Sequence, residues 1–380
     1  MPEVLGDRAL NRALLARQLL SRCGDTEPSV VLRRLVAMQA QVPSAPYVGM
    51  WARIDGFRPD SLARLITDRA AVRATLLRGT LHLVDAGDYP MLRASTLPML
   101  RRMTAPGGYG AALAGVDVDE LLRFGAEMLR ARPGTAAELR VALARRWPDH
   151  DATALAMVVR NLVPLLHVPP RGLWGRSGQA RMTPAVDWLG AGFDPDRAAD
   201  PEASAAAQDE LVLRYLAGYG PASVADAQSW SGLTGLAAAF ERVRDRLVEF
   251  ADERGQRLFD LPDAPRPDPA QRVRVVLLPE YDNCLRGHKD RGRVMSHAAR
   301  AALATRNDAP RPTVLVDGMV RGSWRTGTGR GRSTLTVTVF ERPLTVGESS
   351  AVRAEAERLL EFVADGADHT VLLVDRDLAE

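Results

Sequence analysis

Stretches whose apolar residues recur every three or four positions give way to shorter stretches that alternate residue by residue, and the succession repeats along the chain. RALNRALLARQLL (8–20) carries Leu10, Ala13, Leu14 and Leu20 near helical spacing. Ser29 is placed to cap a second helix through VVLRRLVAMQA (30–40), which Pro43 ends by disfavouring helical geometry at Val42. A third helix over SLARLITDRA (61–70) leads to RGTLHLV (78–84). Alternation there predicts a strand with Arg78, Thr80 and His82 on one face and Leu81 and Leu83 on the other.

The order then recurs. After the break APGGYG (105–110), three helical periods, DVDELLRFGAEMLRARPG, TAAELRVALARRW and DATALAMVVRNLVPLL, precede PRGLWGRSGQARMTP (170–184), which reads as strand-turn-strand. A third copy follows the acidic, Ala-rich FDPDRAADPEASA (193–205) and has FADERGQRLFDLP (250–262) as its hairpin. Three helices and a hairpin make a winged helix, so tandem winged helices account for this pattern better than one large core. Beyond DAPRPDPAQ (263–271) the texture changes. RVRVVLLPEYDN (272–283), TVLVDGMVRGSW (313–324), STLTVTVF (333–340) and HTVLLVD (369–375) read as strands around an amphipathic helix, AVRAEAERLLEFV (351–363). The expected divisions are 1–113, 114–199 and 200–265 for three winged helices and 266–380 for an α+β unit packed on the third.

Composition narrows the function. At 46% hydrophobic and 26% charged the chain is an ordinary globular protein, with no apolar run long enough to span a membrane and no apolar leader in MPEVLGDRAL. The two cysteines, Cys23 and Cys284, are too few and too far apart for a disulfide framework or a thiolate zinc site, which makes a reducing cytoplasm the expected location. A net charge of +3 is only mildly basic. Every cation except Lys289 is arginine, as a GC-rich genome would produce and as bidentate phosphate contacts would use. No Walker A loop, Rossmann fingerprint, nucleophile elbow or H-E-x-x-H is present, and neither a metal nor a cofactor is expected.

Winged helices serve DNA binding and also protein–protein contact. Within WRTGTGRGRSTLTVTVF, Arg325, Arg330 and Arg332 fall at the tip of an expected hairpin whose glycines allow close approach to a backbone or groove, the other reading being a solvated turn. Lys289 and Arg291, in RGHKDRGR (286–293), could hold phosphates or belong to a solvated loop. In MQAQVP (38–43), Gln39 falls on the apolar stripe of its helix and Gln41 on the exit turn, so their amides either converge on one pocket or cap backbone carbonyls. His82, beside Thr80 and Arg78, reads either as a ligand contact or as a strand histidine with its needs met. Glu280 and Asp282 read as turn anchors.

Six segments in order carry a resemblance: LNRALLARQLL (10–20), LVAMQAQVPSAPYVGMWARI (35–54), VRATLLRGTLHLVDAGDYPMLR (72–93), GYGPASVADAQSWSGL (218–233), LLPEYDNCLRGHKDRGRV (277–294) and VDGMVRGSWR (316–325). Together they resemble the AlkZ/YcaQ family of helix-turn-helix DNA glycosylases. The resemblance implies a helix-rich α+β fold of three tandem winged helices in a C-shaped arrangement around double-stranded DNA, with a C-terminal α/β extension. It also implies hydrolysis of the N-glycosidic bond of alkylated purines, N7-alkylguanine above all, with bulky adducts or crosslinks as further substrates. Gln39-Ala40-Gln41 matches the Gln-apolar-Gln motif of the AlkZ branch, so Gln39 and Gln41 are the expected catalytic residues. The expected substrate and DNA contacts are Arg78, Thr80, His82, Lys289, Arg291, Arg325, Arg330 and Arg332. An amide is no strong base, so Gln41 would orient water toward a sugar whose leaving base is already activated by its positive charge. With Lys289 as the sole lysine, Schiff-base chemistry has almost no amine to use, and a monofunctional, monomeric enzyme is expected. The alternative from another class is a non-catalytic winged-helix regulator of transcription.

Overall fold

Three sheets order the chain in the computed structural model, which describes residues 2–21, 24–105, 109–304, 311–329, 332–364 and 368–375; Cys23 lies outside them. The fold is mixed α+β. A short strand β1 (Glu3–Leu5) precedes the helix Asp7–Arg17, which is buried on its polar side as well as on its leucine stripe. Arg12 reaches Asp317 at 2.7 Å, and Arg17 holds both oxygens of Asp260 at 2.6 and 2.8 Å. Asp317 is exposed, but Arg17 and Asp260 are fully enclosed, and removing one partner of such a buried pair costs about 3–5 kcal/mol, because the other charge is left in the core.

The second helix is shorter than its apolar period suggests. It runs Pro28–Leu35, with Glu27 rather than Ser29 at its N-cap, and stops because Val36 adopts φ 66°. Gln39 therefore does not sit on a helix stripe; it lies in β2 (Met38–Gln39). What overrides the helical pattern is tertiary: Asn283 donates to the Ala37 carbonyl at 2.7 Å, and the Tyr219 hydroxyl donates to the Leu35 carbonyl at 3.1 Å. β3 (Ala71–Thr75) and β4 (Leu81–Asp85) flank a tight turn that contains Arg78, so the strand expected over 78–84 begins three residues later.

In the second segment β5 (Gly134–Thr135) is followed by β6 (Leu165–Val168) and β7 (Arg181–Pro184). Leu165 and Leu166, expected at a helix end, are strand residues, and the Gly- and Arg-dotted stretch 170–184 supplies the connecting loop and then, as its second strand, β7. β3 pairs with β6, Arg73 opposite His167, so all six strands form one sheet in the order β2-β4-β3-β6-β7-β5. Leu121, Leu139, Leu155, Val159 and Met182 give this segment a core of its own.

The third segment holds the helices Pro201–Tyr219, Val224–Ser231 and Ala237–Arg242 and the hairpin β8 (Val248–Asp252) and β9 (Arg257–Asp260), on which β1 lies in parallel. Five strands complete the chain: β10 (Val276–Leu278), β11 (Thr313–Val316), β12 (Met319–Gly329), β13 (Arg332–Val339) and β14 (Asp368–Asp375), hydrogen-bonded in sequence order. The helix Val346–Val363 makes the crossover between the parallel β13 and β14. This unit packs on the third segment, where Tyr215 donates to the Gly287 carbonyl at 2.8 Å, and equally on the first. There Arg53 makes two 2.9 Å bonds to Asp282 and Phe362 meets Trp51 and Phe57, while Trp174 of the second segment packs on the same Phe362 ring. One apolar core consequently runs through the first, third and C-terminal segments and takes in Leu166, Ala185 and Phe193 of the second, in place of a separate core for each.

Candidate active site

The backbone of Gln39-Ala40-Gln41 is pinned from both sides. Gln39 faces His82 in the β2–β4 register, Ala40 N–H donates to Leu81 O at 2.8 Å, and Arg73 donates to Ala40 O at 2.9 Å. Gln39 is 6% exposed, whereas Gln41, two residues on and past the strand end, is open to solvent. The two side chains nevertheless meet: Gln39 Nε2 donates to Gln41 Oε1. The pair is thus one buried amide carrying one exposed amide.

Arg78 underlies the pair. Its Nη2 donates to Gln39 Oε1 at 3.0 Å and lies 3.4 Å from His82 Nε2, while Nη1 donates to the Trp230 carbonyl. His82, 1% exposed, uses Nδ1 on the Thr80 carbonyl at 2.9 Å. Burial, and then the Arg78 charge, push the His82 pKa down to about 3, so the ring is neutral and its Nε2 is an acceptor. Thr80 contributes its carbonyl, and its hydroxyl donates to Leu77 O at 3.2 Å. Arg78, Thr80 and His82 come together as expected, but they face inward on the amide pair and the protein's own backbone. His82 is enclosed, Arg78 and Thr80 are half-buried, and the Arg78 guanidinium is engaged by protein partners.

Burial and then Arg286 lower the Arg78 pKa to about 10, which leaves the group charged near neutrality. Arg286 belongs to a second feature on the same side, a cavity of about 180 Å³ lined by Arg286, Arg291, Arg300, Arg311, Tyr281 and Thr313. It shares Arg291 and Arg300 with a groove of about 730 Å³ that also takes in Lys289 and Arg254. Lys289 is exposed, and its backbone N–H is held by Asp226 at 2.9 Å. Arg325 and Arg332 are exposed on the β12–β13 hairpin, the latter opposite Gly329, and Arg330 lies outside the described residues.

In the sequence Glu280 reads as no more than a turn anchor. With Gln39, Pro46 and Asn283 it lines a crevice of about 10 Å³, the room of roughly one water molecule. Burial raises its pKa above the usual carboxylate range. Its neighbour Asp282 is a turn anchor as expected, capping Cys284 N–H at 3.0 Å. Among the described residues no group of three or more His, Cys, Asp or Glu is placed to hold a metal.

The family model for AlkZ-like DNA glycosylases matches residues 32–362, which span every side chain of this site. The chain belongs to that family. Among curated proteins, this AlkZ-like glycosylase is 27% identical over 334 residues to an interstrand DNA cross-link repair glycosylase of Streptomyces sahachiroi, covering 82% of this chain and 85% of the relative. Among solved structures, the Streptomyces sahachiroi DNA glycosylase AlkZ superposes with a TM-score of 0.79 at 23% identity, covering 98% of this chain and all of that one, and so shares its fold.

Chemically, the AlkZ-like site offers hydrogen bonds and not a strong base. The outer amide can hold water or a substrate polar atom, and the nearby arginines can hold phosphate oxygens bidentately. Arg73 and Glu280, by their side chains, and Trp230, by its backbone carbonyl, are the residues whose part in the site spacing did not disclose. Arg73 lies in β3, an unexpected strand between the helix expected at 61–70 and the strand expected at 78–84.

Proposed function

We propose that the protein is a monofunctional DNA glycosylase that hydrolyses the N-glycosidic bond of alkylated purines, N7-alkylguanine first and bulkier or crosslinked adducts next. The reading is supported above all by the joined amides of Gln39 and Gln41, one buried and oriented, the other at the surface. N7-alkylguanine carries its own positive charge and leaves as a neutral base, so an amide that positions water and stabilises an oxocarbenium-like sugar suffices. The three helix-and-hairpin segments, 1–113, 114–199 and 200–265, serve as winged helices around the duplex. Lys289, Arg291 and the hairpin arginines Arg325, Arg330 and Arg332 take its phosphates or minor groove. The enzyme acts as a monomer in the cytoplasm.

Incubation with a duplex containing N7-methylguanine, followed by detection of free base, tests the reading. Gln39→Ala and Gln41→Ala are each expected to slow release about 10²-fold or more with little change in DNA affinity. A protein that binds this duplex and releases no base is the regulator instead. Borohydride is expected to trap no DNA–protein adduct. An adduct lost in Lys289→Ala would replace water by an amine as the nucleophile.

A further inference from the structure

We propose that Arg78 is a positioning residue that fixes the polarity of the Gln39–Gln41 amide pair, so that the outer amide presents its NH2 group to the substrate. This rests on reading the pair as the excision site. Two facing primary amides can pair in either sense, because carbonyl and amino ends have nearly the same shape. A guanidinium removes the ambiguity: it can only donate. With Arg78 Nη2 on Gln39 Oε1 at 3.0 Å, the Gln39 Nε2 end must point to Gln41. Gln41 then accepts through Oε1, and its own NH2 is turned to the open side. The outer group is a donor, fitted to an acceptor atom of the nucleotide or to the oxygen of the attacking water.

Arg78 is itself held in place. His82 Nδ1 donates to Thr80 O, which leaves Nε2 as an acceptor facing the guanidinium, and Trp230 O takes the other nitrogen. Among the described residues the guanidinium's hydrogen-bonding partners, Gln39, His82 and the Trp230 carbonyl, are neutral, so its field runs along the amides rather than into a carboxylate. The backbone at Arg78 has φ 54°, the left-handed region where a non-glycine residue is strained. Gly232 closes over it, for a Cβ there would stand 2.8 Å from Arg78 Cα. The third segment thus clamps a turn of the first beneath the amide pair.

Glycine is at ease at φ 54°, so Arg78→Gly removes the side chain without adding backbone strain. Single-turnover release of N7-methylguanine is expected to fall about 10- to 100-fold, the scale of losing a group that orients another, with binding to an uncleavable duplex unchanged. Millimolar guanidinium chloride should restore part of that rate in Arg78→Gly and none in Gln39→Ala. The double variant should be no slower than Gln39→Ala. A wild-type rate in Arg78→Gly, or losses that multiply in the double variant, overturns the proposal.

A second variant does not depend on how Arg78→Gly folds. Gln39→Glu strengthens the contact with Arg78 but removes the donor to Gln41, so it should be as slow as Gln39→Ala. A wild-type rate in Gln39→Glu would show that no donor from residue 39 to Gln41 is needed, and that result too overturns the proposal. Should Gln39→Ala itself release base at the wild-type rate, the failure lies in the reading of the pair as the excision site, and the role of Arg78 falls with it.

Discussion

Glu280 and Asp282 sit on one turn and meet opposite electrostatic surroundings. Both oxygens of Asp282 are matched by Arg53, whereas Glu280 is desolvated and has its pKa raised. A raised carboxyl pKa means that the folded chain binds a proton the unfolded chain has released. The associated stability is present below the unfolded pKa and is lost as pH rises through the folded one. Glu280→Gln should therefore melt higher than wild type at pH 7–8, with the difference vanishing near pH 4. Thermal melts at the two pH values check this, and a lower melting temperature at pH 8 would refute it. The contrast explains why the sequence made both residues look alike: each is an acid in a Pro-containing turn, and only the buried Arg53, 229 positions from Asp282, tells them apart.

Among the elements, the β12–β13 hairpin was the most legible, because strict alternation over STLTVTVF has a single structural solution when one face is buried. Its exposed arginines give a test at the same scale. Replacing Arg325 and Arg332 by Gln should weaken binding to damaged and undamaged duplex alike and flatten the salt dependence by about 1.8 in slope, 0.9 for each lost phosphate contact. An unchanged slope would return the hairpin to a solvated turn. The helix before Gln39 was the least legible. Its apolar period continues through Val36, but the contacts that stop it come from Tyr219 and Asn283, 184 and 246 positions away from the carbonyls they bind. No local pattern carries such information, which is why the amide pair could be found while its strand could not. The wing of the second segment was misplaced for the same kind of reason, since Leu166 joins β3 across the sheet instead of closing its own helix.

The whole molecule is joined by buried polar groups as much as by leucines, and this shapes its response to acid. His82 and His288 are both enclosed and kept neutral, with burial the main cause in each. An unfolded histidine takes up its proton near pH 6.5, so the native state loses ground as pH falls below that value. For His82, held down to about 3, the loss between pH 7.5 and pH 5 is about 2 kcal/mol, and His288 adds to it with the same sign. Urea unfolding at a series of pH values should show stability falling steadily over this range, and a flat profile would contradict it. The parallel pairing of β1 with β8 has a consequence in time. Glu3 lies opposite Phe250, 247 positions later, and at about 5–20 residues per second the ribosome needs roughly 12–50 s to supply that partner. Through that interval Arg12 and Arg17 have neither Asp317 nor Asp260 beside them. Residues 3–17 are thus among the last to find their places although they precede their partners in the chain, and nascent chains arrested before Phe250 should remain open to protease near Glu3.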